Sequence, residues 1–200
     1  MGTFTRIPQS TFEEMQLDAG VLLKTFDPEH PAKKEESGSY VDWTDEDWNT
    51  NLVCATTGGI SASCVPAFSD LGEDVDNCPV NMMELRHLDS WTATLGFTSL
   101  GVSPANIKIA LGCADIDNSN TSRIVPRRDL EQTDFKDIWW VGDRADGGLC
   151  AIQLKNALST EGFSLTTTKA GKGQVGVTLT GHVSINAQSV VPMEFYSIAP

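Results

Sequence analysis

The sequence of 200 residues predicts a mainly β fold: an antiparallel β-sandwich or barrel with one short flanking α-helix and a long loop. Two consecutive β-hairpins between Asp137 and Ile185 carry this prediction. In their last strand, residues 174–185, apolar and polar side chains alternate with the period of two that is typical of a strand with one buried face. Asp146-Gly147-Gly148 and the glycines at 171 and 173 stand between the strands, where glycine supplies the backbone angles of tight turns.

The chain begins with an arm, a first strand and an acidic loop. Residues 1–19 are a mixed arm whose apolar anchors include Phe12 and Met15, and we expect a neighbouring molecule to order them. Residues 20–26 form a first strand that ends at Asp27-Pro28. Residues 27–50 hold eight acidic residues and two lysines and are predicted to be a long loop. Because a long loop in a compact domain usually has a function, we interpret its aromatic residues as docking anchors rather than as part of a solvated excursion. These anchors are Tyr40, Trp43 and Trp48.

The middle of the chain alternates between strands and one helix. Residues 52–71 are predicted to form two strands around Thr56-Thr57-Gly58-Gly59, and residues 83–100 a further strand. Residues 104–111 carry the helix signature: Ser103 suits the N-cap, Pro104 the first helical position and Gly112 the position past the end. Residues 124–126 read as a short edge strand because of their proline, and residues 190–198 as the last strand.

Length and charge limit the classes of function. Two hundred residues fit one domain, so residues 1–200 are predicted to be a single domain. The net charge of −13 argues against a protein that grips nucleic acid by its phosphates. The charge is uneven, because residues 1–100 hold 17 acidic and 5 basic residues whereas residues 101–200 hold 10 and 9.

Cysteine spacing and the N-terminus indicate a reducing compartment. Five widely spaced cysteines fit neither a disulfide framework nor a zinc site, so we expect reduced, mostly buried side chains. The first residues lack the apolar segment of a signal peptide, and no apolar run reaches the length of a membrane span. We therefore expect the chain to fold in a cytoplasm.

Motifs of catalysis and metal binding are weak in this sequence. Residues 171–176 match the G-x-G-x-x-G pattern but enter a strand instead of a helix, so the hairpin interpretation is favoured. Asp115 and Asp117 begin like a calcium loop, although its glycine and closing glutamate are missing. The histidines have no metal-ligand spacing, and His182 stands on the polar side of a predicted strand. The sequence therefore predicts no enzyme, no catalytic, cofactor-binding or metal-binding residues, and no cofactor.

Several stretches follow one another along nearly the whole chain: Ala55-Thr56-Thr57-Gly58-Gly59-Ile60, Leu71-Gly72-Glu73-Asp74-Val75-Asp76-Asn77-Cys78-Pro79, Leu88-Asp89-Ser90-Trp91, Trp139-Trp140-Val141-Gly142-Asp143 and Lys155-Asn156-Ala157-Leu158-Ser159-Thr160. Taken together, they resemble the major tail tube protein of long-tailed, non-contractile (siphophage-type) bacteriophages. The resemblance implies a structural subunit that assembles into hexameric rings, which stack into a tube that conducts the genome during ejection. It implies as partners other copies of the chain, a tape measure protein, a tail terminator and distal tail proteins, and as location the virion tail, assembled in the host bacterial cytoplasm. The family carries no catalytic residues.

Physical arguments from the sequence agree with such a role. A sheet with open edges tends to aggregate as a monomer, whereas in a ring each edge pairs with the next subunit. A negatively charged lumen offers DNA no counterion-release gain, so the duplex slides as passing cargo. The assembly-interface candidates are Phe12, Met15, Tyr40, Trp43 and Trp48, and the sequence assigns no lumen-facing residues.

Two other classes of function remain open at this stage. The first is a secreted β-sandwich module that binds carbohydrate on Trp43, Trp48 and Trp91; the missing secretion signal and the free cysteines count against it. The second is an enzyme with a dispersed site built from Asp115, Asp117 and His182. A tube component of a related secretion apparatus is an alternative within the first class.

Overall fold

The structure is a computed structural model and describes residues 7–8, 10–31, 33–34 and 40–200. The predicted mainly β fold is confirmed, with antiparallel pairing in every strand pair of these residues. The elements in chain order are α1 (Ser10–Glu13), β1 (Gln16–Leu23), β2 (Lys33–Lys34), β3 (Tyr40–Val41), α2 (Asp45–Asn51), β4 (Thr56–Asp70), β5 (Arg86–Ser99), α3 (Pro104–Leu111), β6 (Ala114–Ile116), β7 (Ile124–Pro126), β8 (Lys136–Arg144), β9 (Leu149–Ser159), β10 (Ser164–Thr166), β11 (Gln174–Thr180) and β12 (Met193–Ile198). Short 3-10 turns cover Met83–Leu85 and Gln132–Asp134.

One eight-stranded sheet forms the body of the molecule. Its strand order is β1-β8-β9-β11-β5-β4. Two more strands lie off this path: β12 pairs with β9, and β10 pairs with β11. The long strand β9 joins the two halves, because its first residues pair with β12 and its last two, Leu158 and Ser159, pair with β11. The two predicted hairpins are β8–β9 and β10–β11.

The main core lies between this curled sheet and α3. Its side chains come from alternate positions of the strands, including Leu95 of β5, Leu154 of β9 and Leu179 of β11, all of them at most 2 % exposed. Helix α3 begins and ends as predicted: Ser103 accepts from the backbone N–H of Asn106, and Gly112 has φ +77°. Ala110 is the buried residue through which α3 packs on the sheet.

A second core lies around Trp139 of β8. It contains Leu23, Trp139, Val141 and Ala151, and Trp43 packs against it. The predicted 27–50 loop is thus wrong for part of its length, because β2 and β3 pair within it and residues 45–51 form α2. The Thr44 side chain caps this helix through the N–H of Asp47, whose carboxylate accepts from the Thr44 N–H in return.

Several predicted elements were wrong in their extent. The first strand covers residues 16–23 instead of 20–26, so β1 and the short helix α1 both reach into the predicted arm, and the last strand begins at residue 193 instead of 190. Helices α1 and α2 add to the one predicted helix. Two further strands also differ. Residues 56–70 form one strand, since Gly58 and Gly59 adopt φ +77° and +80° and make a bulge where the register shifts. Strand β11 ends at Thr180 rather than continuing to Ile185, so Val183 and Ile185 are 51 % and 80 % exposed. A Cβ at position 181 would lie 2.8 Å from Leu154 Cδ1 and 2.9 Å from the Pro192 carbonyl oxygen, which shows how closely the chain passes its neighbours there.

Candidate assembly surfaces

A two-stranded arm extends beyond the sheet and is made by the ends of β4 and β5. Strand β11 pairs with β5 only as far as Thr94, whereas β4 and β5 continue as a pair to Asp70 and Arg86. We call residues 65–92 the hairpin arm. Its strands add roughly 20 Å to the sheet at about 3.3 Å per residue. An isolated two-stranded hairpin is marginally stable in water. Packing of another polypeptide segment along the arm would therefore stabilise it.

The hairpin arm exposes apolar side chains along its whole length. The most exposed are Met83 (80 %), Val80 (72 %) and Leu71 (63 %). The other exposed large apolar residues of the arm are Val65, Phe68, Val75, Met82, Leu88 and Trp91. Apolar side chains concentrated on one segment in this way are characteristic of an interaction site, whereas singly scattered exposed apolar residues are not.

The loop at the end of the arm, residues 71–85, is ordered by local hydrogen bonds and is strongly acidic. We call it the tip loop. The backbone N–H groups of Asn81 and Gly72 donate to the Asp70 carboxylate over 2.8 and 3.0 Å, and these bonds lower the pKa of Asp70. The Leu71 N–H donates to the Leu85 carbonyl over 2.9 Å and closes the loop. The tip loop contains Glu73, Asp74, Asp76 and Glu84 and no lysine or arginine, so it combines negative charge with exposed apolar groups.

Strand β4 has an open edge. Among the described residues its backbone ladder runs to β5 alone, over the full length from Thr56 to Asp70. Pro66 lies within this edge, opposite Trp91. Strand β12 likewise pairs with β9 alone in the described part of the chain. Open edges present unpaired backbone groups to other chains, so the edges of β4 and β12 suit pairing with another subunit.

The sheet face opposite the main core is lined with hydroxyl groups. We call it the hydroxyl face; it consists of Thr57, Ser61, Ser63, Thr92, Thr94, Thr98, Thr178 and Thr180. These residues alternate with buried positions of β5 and β11, as the predicted one-sided pattern requires. At its margin Thr178 donates to the Glu161 carboxylate over 2.7 Å. The hydroxyl face contains no lysine or arginine.

The sequence-predicted contact residues are not gathered in one place. Phe12, on α1, and Met15 are about half exposed, and the carbonyl of Met15 accepts from the N–H of Ala145 in the β8–β9 turn. Residues 1–6 of the arm lie outside the described residues, and Tyr40 is described only as a backbone position of β3. The ring centroids of Trp43 and Trp48 lie 4.8 Å apart with the ring planes tilted by 50°, and Trp48 remains 41 % exposed.

Trp43 therefore has a structural role in its own chain, because it helps the loop to cover the second core. Sequence patterns alone do not identify the hairpin arm as an exposed surface. Its apolar residues follow the same alternating pattern as the rest of the two strands. They are exposed because β11 does not pair with this part of β5.

The residues of the two other interpretations make local contacts in separate parts of the fold. Asp115 forms an ion pair with Arg127 at 2.8 Å, and Asp117 accepts from Ser119 and Arg123. The His182 ring packs edge-on against Phe135. Within residues 7–8, 10–31, 33–34 and 40–200, no group of three or more His, Cys, Asp and Glu side chains has a geometry that holds a metal ion. Trp91 lies on the hairpin arm, apart from the Trp43–Trp48 pair at the second core.

The remaining sequence expectations concern cysteines and membranes. All five cysteines lie in described segments as free thiols; Cys54 is buried and the others are partly buried. Burial raises the pKa of the Cys54 thiol. In the part of the chain that the structure covers, no helix has both the length and the apolar character needed to cross a bilayer.

Comparison with known proteins gives a weak structural similarity. No protein-family model matches the chain. No curated protein matches it either. Among solved structures, the chain is similar to a chain of the virion of a native gene transfer agent particle, with 8 % sequence identity and a TM-score of 0.36, over 74 % of this chain and 90 % of that chain. This TM-score is too low to transfer fold or function.

Proposed function

We propose that this chain is a structural virion protein that polymerises as stacked hexameric rings into the tail tube of a long-tailed, non-contractile phage. The observation that carries the proposal is the hairpin arm, which exposes nine large apolar side chains on a two-stranded extension. A surface of this kind is stable when another subunit covers it. The stretches that resemble tail tube proteins, among them residues 71–79 of the tip loop, support the same assignment.

Ring formation uses the open borders of the sheet. A strand edge that faces solvent in the monomer gains backbone hydrogen bonds when the edge of a neighbouring copy pairs with it. Strands β4 and β12 lie at different borders, so such a contact joins unlike surfaces and generates a closed ring or a filament. Closure into six subunits and stacking of the rings are the two steps that make a tube.

The hydroxyl face is our candidate for the wall of the lumen. Its serine and threonine side chains present no cation to bind phosphate, and Glu161 at its margin adds negative charge. DNA therefore gains nothing from counterion release at this wall and passes without being held. If each of six subunits contributes four strands spaced by about 4.8 Å and tilted near 45°, the lumen is roughly 40 Å wide.

The remaining parts of the proposal follow from the resemblance. Residues 1–200 act as one tail tube domain without enzymatic activity. The partners are further copies of the chain, a tape measure protein, a tail terminator and distal tail proteins. Assembly takes place in the cytoplasm of the host bacterium, and the finished protein resides in the virion tail.

The first experiment measures polymerisation of the purified protein. Sedimentation velocity over a series of protein concentrations, followed by negative-stain imaging, should show rings and then tubes with a lumen of roughly 40 Å. A chain that stays monomeric at every concentration, also in the presence of tail-tip complexes, would contradict the proposal.

A second experiment tests the lumen wall with charge insertions. Tubes of a Thr94→Lys/Thr178→Lys variant should retain DNA that is protected from nuclease, because the new cations face the passing duplex. The matched control is Asn118→Lys/Thr121→Lys in the exposed β6–β7 turn, whose tubes should bind only nuclease-accessible DNA. Equal protection in both variants would show that the hydroxyl face does not line the lumen.

A further inference from the structure

A cavity of about 530 Å³ lies between α3 and the sheet. Ile109 of α3, Ile138 of β8 and Leu179 of β11 are among the apolar residues that line it. A cavity of about 150 Å³ holds one benzene-sized group, so this one has room for about three apolar side chains. Because no protein atom fills it, the cavity leaves its apolar walls without contacts.

The rim of the cavity carries positive charge in an acidic protein. Lys24, Lys108 and Lys136 all line the cavity, and the Lys24 ammonium donates to the carbonyl of Thr50 over 2.6 Å. Two carboxylates also line it. Asp134 is neutralised by its ion pair with Arg127, and Asp137 accepts from the Asn156 N–H over 2.9 Å. The three lysines outnumber Asp137, the one lining carboxylate that the described ion pairs do not neutralise, so the rim has a net positive charge that attracts an anionic group.

We propose that this cavity receives the tip loop of a second copy of the chain. The inference rests on the proposed function, since it names the contact through which subunits polymerise. The tip loop offers what the cavity lacks: exposed apolar side chains, such as Leu71 and Val75, next to the carboxylates of Asp74 and Asp76. The lysines meet the carboxylates, and the apolar groups fill the cavity.

The contact joins copies in one direction. The tip loop and the cavity are different surfaces, so every copy offers one of each, and the contact propagates from subunit to subunit. Complementary charge selects this pairing over contact between two acidic tip loops.

The experiment reverses charge at the cavity and then at the tip loop. A Lys108→Glu/Lys136→Glu variant should fold, as judged by its thermal unfolding, but its critical concentration for polymerisation should rise more than about tenfold. Adding Asp74→Lys/Asp76→Lys to the same chain should restore polymerisation, because the reversed charges attract again. The matched control, Lys169→Glu/Lys172→Glu in the turn before β11, makes the same change in net charge and should polymerise like the wild type.

The outcomes separate the inference from the proposed function. Polymerisation of the Lys108→Glu/Lys136→Glu variant at the wild-type concentration would overturn the inference and leave the proposed function standing. A loss of polymerisation that the tip-loop reversal does not restore would overturn it equally. If the variant polymerises normally but loses binding of dodecanoate that the wild type shows, the cavity holds an anionic amphiphile instead. A wild-type chain that never polymerises would overturn the proposed function as well.

Discussion

Removing apolar side chains from the tip loop should weaken polymerisation without unfolding the subunit. Burial of a leucine or methionine contributes about 1.5 to 3 kcal/mol. Leu71 and Met83 are 63 % and 80 % exposed, so together they hold roughly 2 to 4 kcal/mol of transfer free energy that a subunit contact can use. A Leu71→Ser/Met83→Ser variant should therefore raise the critical concentration roughly 30- to 700-fold, since each 1.4 kcal/mol corresponds to about a factor of ten.

The assay is sedimentation of polymers from a dilution series, with thermal unfolding of the dilute subunit measured in parallel. The matched control is Val183→Ser/Ile185→Ser, which removes similarly exposed apolar groups (51 % and 80 %) from a segment outside the hairpin arm. That variant should polymerise near the wild-type concentration. If the tip-loop variant polymerises as readily as the control, the hairpin arm is not an assembly surface.

Three further predictions concern the subunit itself. Hydrogen bonds lower the pKa of Asp70 in the folded protein, so the stabilisation of the tip loop by its carboxylate is complete above the ordinary pKa of Asp and is lost as the pH falls through the lower, folded pKa. Asp70→Asn should therefore speed amide hydrogen exchange of Asn81 and Gly72 at neutral pH and remove the acid dependence of that exchange. Gly112→Ala should destabilise the fold by about 1 to 3 kcal/mol in a urea titration, because φ is +77° and the new Cβ would lie 2.8 Å from a backbone oxygen, whereas Gly176→Ala, with open space around its Cβ position, should change stability little. Trp43→Ala should lower the free energy of unfolding by about 2 kcal/mol, because the ring packs on the second core, and the more exposed Trp48 should matter less; equal losses would contradict this division.

The structure changes how the acidic loop should be tested. Deletion of residues 42–48 is not a clean test of the docking-loop interpretation. Those residues include the capping box of α2 and the ring of Trp43 on the second core, so the deletion would remove packing as well. Substitution of Trp48 alone separates an assembly role from a folding role.

Local signals were sufficient for α3 and the two hairpins. Ser103, Pro104 and Gly112 specify the ends of α3 through capping and backbone geometry, which depend on neighbouring residues alone. Turn glycines and alternating side chains specify β8–β9 and β11 for the same reason.

Alternation could not show which strands have neighbours on both sides. Trp91 and Leu95 share one face of the same alternating strand, yet Leu95 is fully buried and Trp91 is 38 % exposed. The difference arises because β11 pairs with the second half of β5 alone. The cavity under α3 was hidden for a similar reason, since Lys24, Lys108 and Lys136 lie far apart in sequence and only the tertiary fold places them on one rim.

Pro66 in the open edge of β4 limits how other strands can add to this sheet. Proline has no N–H, and within sheets it lies where that missing donor would face outward from an edge strand. A chain that adds along β4 therefore finds a continuous ladder only before residue 66 or after it. Amyloid-like stacking requires an unbroken backbone ladder. Pro66 therefore disfavours amyloid-like addition along β4, while the parts of the edge before and after it can still pair with another subunit.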